Sequence, residues 1–118
     1  GVFMLNTILV GLGGGLGALA RYSTGVYIQD KIESKMPLHT LFINVLGSFL
    51  LAYIYSHFKS RGLLVFLGTG FLGGFTTFST FIVENVNLAL EEHVLISFLY
   101  MGLSLSLSIG ACFLGVVL

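Results

Sequence analysis

The amino-acid sequence predicts an all-α integral membrane protein of four transmembrane helices, with residues 1–118 forming one membrane domain. Three observations carry this. Hydrophobic residues make up 56% of the chain and charged ones only 8%, where a soluble domain holds about a quarter charged. Mean hydropathy is +1.02. The few charges fall in clusters that divide the chain into four apolar spans, each longer than the roughly 20 residues a helix needs to cross about 30 Å of hydrocarbon. In lipid such spans must be helices, because an open sheet would leave backbone groups unpaired.

The first helix is expected over 3–28: its apolar run starts at Val2, reaches Ala20 and continues past Arg21 to Ile28. "QDKIESKMP" (Gln29 to Pro37) leads to a second helix over 37–58, whose first turn suits Pro37. "KSRG" (Lys59 to Gly62) leads to a third over 62–90, uncharged up to Glu84. "EEH" (Glu91 to His93) leads to a fourth over 93–117. No soluble domain fits between them. Zero net charge gives no nucleic-acid footprint. Cys112 is the only cysteine, so there is no intrachain disulfide, and it reads as a small packing residue.

Positive residues orient a membrane chain by their asymmetry. Here Lys59 and Arg61 lie on one side, and Lys31 and Lys35, with Arg21 near, on the other. The near balance leaves two readings: a weak bias set by factors outside the sequence, or insertion in both orientations, which would allow an antiparallel dimer. A lone bundle of four helices has little interior, yet Asn44, Thr76, Thr77, Ser79, Thr80, Ser104, Ser106 and Ser108 fall at membrane depth. Polar groups there face protein or water, and oligomerisation would supply an interior. In "GLGGGLGALARY" the pairs Gly11/Gly15 and Gly13/Gly17 permit close helix approach. Intrachain packing explains them as well as dimerisation does.

The stretch "GFLGGFTTFSTF" (Gly70 to Phe81) sets Gly73-Gly74 before hydroxyls at 76, 77, 79 and 80. Residue types alone leave two arrangements open. One is an unbroken helix with its glycines at a tight crossing. The other is a break near 73–80, where carbonyl oxygens would turn toward a cation or a helix N-terminus toward an anion. Phe75, Phe78 and Phe81 recur at spacing three and share a face if the helix resumes. They would fill core, face lipid, or present positive ring edges to a small anion. Tyr100, Ser104 and Ser108 recur at spacing four, a hydroxyl ladder on one face, unless the serines bond their own helix carbonyls. With Asn44 they suggest a polar track. Arg21 and Glu84 are the charges nearest membrane depth, functional candidates by default. Snorkelling to the interface is the alternative, stronger for Glu84 near its loop. His39, His57 and His93 fall near span ends and read as interfacial, with no metal-binding spacing.

"GGGLGALARY", "TLFINVLGSF" and "GFLGGFTTFSTF" resemble signature segments of the Fluc (CrcB) fluoride channels. The resemblance covers three spans by motif and all four by layout and length. It implies an antiparallel, dual-topology homodimer in the inner (plasma) membrane, its third helix broken near the middle, with two fluoride pathways. By the same resemblance Phe78, Phe81 and Asn44 line the pore and Arg21 its vestibule. Glu84 becomes a candidate pore or gating acid. Tyr100, Ser104 and Ser108 form the polar track, joined by Ser79 and Thr80. Backbone carbonyls of Gly73 and Thr76, two from each subunit, would hold a structural sodium ion at the dimer centre. Phe75 is assigned no role. The implied activity is passive export of fluoride, driven by an inside-negative potential worth about 2.3 kcal/mol per 100 mV, with no enzymatic step. Two rivals remain at this point: a proton-coupled exporter of the small multidrug type, which would need a titrating acid deep in the membrane, and a non-transporting assembly subunit.

Overall fold

The computed structural model describes residues 1–118. Helix α1 spans Val2–Lys31 and α2 spans Leu38–His57. A third span, Arg61–Leu90, is composite. It comprises α3 (Arg61–Leu63), a π-helical segment (Leu64–Leu72), α4 (Gly73–Phe75) and α5 (Phe78–Leu90). Helix α6 spans Val94–Val117. Four stretches are thus long and apolar enough to cross a membrane. Helix α1 runs beyond residue 28 because polar Gln29 and Asp30 keep its hydrogen bonding, and Lys31 lies favourably in its last turn. Pro37 stands just before α2 and accepts from Leu41 N–H at 3.2 Å. Ser60 caps α3, its side chain accepting from Leu63 N–H at 3.4 Å.

Between α4 and α5 two residues are extended: Thr76 at φ −77°, ψ 155° and Thr77 at φ −147°, ψ 121°. They reset the helical phase. Phe75 therefore does not share a face with Phe78 and Phe81, as their spacing alone implied. It is buried with Ile43 and Leu72 in the small core, whereas Phe78 is 74% exposed.

Helix α1 crosses the third span at backbone contact. A Cβ on Gly13 would meet Phe66 O, one on Gly17 would meet Phe71 O, and one on Gly74 would meet Gly14 O. Gly11 and Gly15, by contrast, have nothing within 4 Å. Of the two small-residue pairs in α1, one packs inside the chain and the other faces out. Helix α6 lies along α2, with Gly115 against Phe49 O and Tyr53 N. Only 16 of 118 residues are buried, so the elongated bundle, 52 × 29 × 24 Å, exposes largely apolar outer faces. Lipid or protein must cover them.

At the turn from α5 to α6, Glu92 adopts φ 65°, a left-handed conformation that costs a side chain about 1 kcal/mol or more relative to glycine. The chain accepts it because His93 N–H then reaches Leu88 O at 2.8 Å, closing α5. Glu92→Gly should raise stability by roughly 1 kcal/mol, read as a higher unfolding temperature in detergent. A lower one would show that the Glu92 side chain does more than tolerate the turn.

Candidate functional site

The extended pair Thr76–Thr77 removes helical partners from nearby backbone groups, and named side chains replace them. Asn44 on α2 does so in both directions. Its Oδ1 accepts from Thr77 N–H at 2.8 Å and its Nδ2 donates to Thr77 O at 2.9 Å. In an unbroken helix Thr77 N–H would have served Gly73 O. Thr80 N–H, which would have served Thr76 O, instead donates to the Thr77 hydroxyl at 3.3 Å and so caps α5. The carbonyls of Gly73 and Thr76 thereby lose their ladder donors. Next to them, Gly74 O accepts from Arg21 Nε at 3.1 Å. Thr76 turns its own hydroxyl back to Leu72 O at 2.9 Å.

On one side of this junction lies a groove of about 350 Å³ lined by Asn44, Phe78, Phe81, Met101, Ser104, Leu105 and Ser108. The rings of Phe78 and Phe81 stand 6.1 Å apart, tilted by 39°. Phe81 also meets the Tyr100 ring at 5.0 Å and 56°. Ser104 is 8% exposed, and its buried hydroxyl has no hydrogen-bond partner. It does not bond back to its own helix, the alternative its spacing left open. Asn44 has one amide N–H left, since the other holds Thr77 O.

On the other side, a cleft of about 160 Å³ brings together Arg21, Gln29, His39, Thr40, Thr77 and Thr80. Arg21 is half-buried here rather than extended toward an interface; one of its five N–H donors is used on Gly74, leaving the rest for the cleft. Glu84 likewise does not snorkel. Its Oε2 accepts from Thr40 Oγ1 at 3.1 Å and its Oε1 from the Tyr100 hydroxyl at 3.0 Å. His39 Nε2 lies 3.2 Å from Oε2.

Of the residues singled out by sequence, the groove gathers Asn44, Phe78, Phe81, Ser104 and Ser108. Thr80 lies in the cleft with Arg21. Tyr100, fully buried, points to Glu84 rather than up the serine ladder. Ser79 is exposed at the start of α5, 3.4 Å from the Thr77 hydroxyl. Sequence reasoning passed over Thr40 and treated His39 as interfacial. Thr40 is one helical turn before Asn44, a spacing that could have flagged it. Nothing in the sequence alone joins His39 to Glu84, 45 positions apart.

The comparisons with known proteins agree with one another. A family model described as "CrcB-like protein, Camphor Resistance (CrcB)" matches residues 8–116. A protein of Listeria innocua named "Fluoride-specific ion channel FluC 1" is 41% identical over 115 residues, covering 98% of each chain. A Listeria monocytogenes protein of the same name is 42% identical with the same coverage. A Bacillus cereus "Fluoride-specific ion channel FluC 2" is 37% identical, again over 98% of both chains. Matched along nearly its whole length by the family model and by these relatives, the chain belongs to the CrcB family.

Proposed function

We propose that this chain is a fluoride-selective channel of the plasma membrane that lets cytoplasmic fluoride leave by passive electrodiffusion. Its full-length relatives carry that name, and they lend no support to a proton-coupled exporter. The observation on this molecule that carries the reading is the Ser104 hydroxyl: buried, unpartnered, and lining a groove beside two phenylalanines. An unused donor at membrane depth is costly unless something arrives to accept from it. Fluoride is small and strongly hydrated. Ser104, the free Asn44 N–H and the positive edges of Phe78 and Phe81 offset part of its dehydration. Ring edges bind weakly, and conduction requires that no site hold the ion firmly. Arg21 supplies positive potential in the neighbouring cleft. Ser108 extends the donor track, with Thr80 and Ser79 at the start of α5. Glu84 with Tyr100 forms the acid at the path. Nothing in this scheme needs a nucleotide or a chemical step.

The assembly is read as an antiparallel, dual-topology homodimer. The outward Gly11 and Gly15, the apolar faces and the groove open along its side support it. So does the near balance of Lys and Arg. The carbonyls of Gly73 and Thr76, freed of their ladder donors, are hard oxygen donors that fit a sodium ion. Two from each of two copies would hold one centrally. There it would neutralise carbonyl dipoles that lipid cannot satisfy.

Electrogenic fluoride flux from the purified protein in liposomes tests the function. Proton-coupled cation flux, or none, would overturn it. Topology has its own test. With Cys112→Ala removing the native thiol, Gly62→Cys places a label where a side chain has open space. An impermeant reagent added from each side should modify comparable fractions; labelling from one side only would exclude the antiparallel pair.

A further inference from the structure

The Glu84 carboxylate is met by Thr40, Tyr100 and His39. Two of these partners cannot titrate near neutrality; the imidazole is the side chain that ordinarily changes charge between pH 5 and 8. The same His39 Nε2 that lies 3.2 Å from Glu84 Oε2 lies 3.3 Å from the Gln29 amide nitrogen. A neutral imidazole either accepts at Nε2 from that amide or, in its other tautomer, donates from Nε2 to the carboxylate. The imidazolium carries a proton on both nitrogens, so its Nε2 can only donate, and at Glu84 it adds a positive charge to the hydrogen bond.

The location gives this choice a consequence. Gln29 and His39 line both the cleft that holds Arg21 and Thr80 and an outer basin that holds Lys35, Glu84 and Glu91. The groups facing His39 are Arg21, Gln29 and the Gly25 backbone from α1, Lys35 from the connection, Glu84 and Glu91 from α5, and Tyr100 from α6 through Glu84. Two cations stand against two carboxylates, so a proton on His39 tips the local balance positive.

We infer that His39 is a positioning residue for Glu84. As an imidazolium it holds and neutralises the carboxylate beside the anion route. As a neutral ring, in either tautomer, it leaves a negative charge there. This rests on the fluoride-channel reading. Fluoride conduction then increases as pH falls, the condition in which neutral HF enters a cell and ionises inside.

The test is fluoride current in planar bilayers, in symmetric sodium fluoride at pH 8 and pH 5.5. Neutral HF carries no current, so only the anion is counted. The wild-type current should be roughly threefold or more higher at pH 5.5, because a charge at a narrow mouth multiplies local anion concentration. His39→Gln keeps a donor without titrating, and should make the current independent of pH. Glu84→Gln should abolish the dependence too, since His39 acts through that carboxylate. Should His39→Gln fail to fold, the Glu84→Gln profile decides, because a flat profile there beside a sloping wild type requires the carboxylate to carry the effect. A flat wild-type profile overturns the inference. So does a wild-type pH dependence in either His39→Gln or Glu84→Gln. Absence of fluoride current at both pH values in the wild type would instead defeat the channel reading itself.

Discussion

Phe78→Ile and Phe81→Ile should each give protein that purifies normally yet conducts fluoride about tenfold more slowly or worse. Isoleucine keeps apolar bulk but removes the ring quadrupole, an interaction worth up to about 1.5 kcal/mol, whose loss at a barrier amounts to roughly a decade in rate. The anion then meets a constriction with nothing to replace its lost water. The structure makes Phe78 the cleaner probe. It is 74% exposed in the single chain, so its replacement removes little intrachain packing. Phe81 also supports the Tyr100 ring at 5.0 Å, so its loss disturbs the Glu84 cluster as well. Phe75 is the control. Buried in the core and stacked on Phe71 at 6.3 Å, it should cost about 1 kcal/mol of stability when changed to leucine, with flux per assembled channel nearly unchanged. Liposome flux and thermal unfolding separate the two outcomes. Full fluoride current in both isoleucine variants would defeat the role given to the rings.

Asn44→Ala should be the most damaging single truncation in the chain. It leaves Thr77 N–H and Thr77 C=O without partners at membrane depth. With roughly 1–3 kcal/mol for each orphaned group, a loss of about 2–6 kcal/mol is expected. The chain has one local remedy, to return Thr77 N–H to Gly73 O as in an ordinary helix. That would rebuild the ladder across the junction, withdraw the Gly73 carbonyl from any cation and misdirect Phe78. Flux should therefore be lost even in whatever fraction folds. Asn44→Asp keeps an acceptor for Thr77 N–H and should be more stable than the alanine variant. Hydrogen exchange at the Thr77 amide and liposome flux provide the readouts. Wild-type stability and flux in Asn44→Ala would show that the reciprocal bond is dispensable.

The four spans were legible because hydropathy and charge act over twenty residues at a time, and short connections left no alternative. What stayed hidden depends on which way single side chains turn. Gly11/Gly15 and Gly13/Gly17 have the same spacing on the same helix, yet only the second pair meets Phe66 and Phe71; periodicity carries no direction. The three-residue repeat of Phe75, Phe78 and Phe81 assumed a constant helical phase, which two extended threonines remove. Asn44 was marked as polar and deep, but its engagement with a backbone 33 positions away is a tertiary fact. Glu84 looked peripheral by its nearness to a loop. Its surroundings come from α2 and α6, which bring Thr40 and Tyr100 to it. The nine residues from Leu64, apolar apart from Thr69, read as ordinary helix, and no residue type announces that their turns widen to the π form.

The scant interior of the single chain, with 16 of 118 residues buried, bears on how the protein behaves in a sparse membrane. For a channel completed only by a second copy, the relevant dilution is in lipid, and folding and pairing become one mass-action equilibrium. Below the midpoint of that equilibrium, current would fall as the square of protein per lipid rather than in proportion to it. A cell expressing few copies would then lose protection abruptly, and a titration of gene dosage would display a threshold where a self-sufficient pore would show a slope.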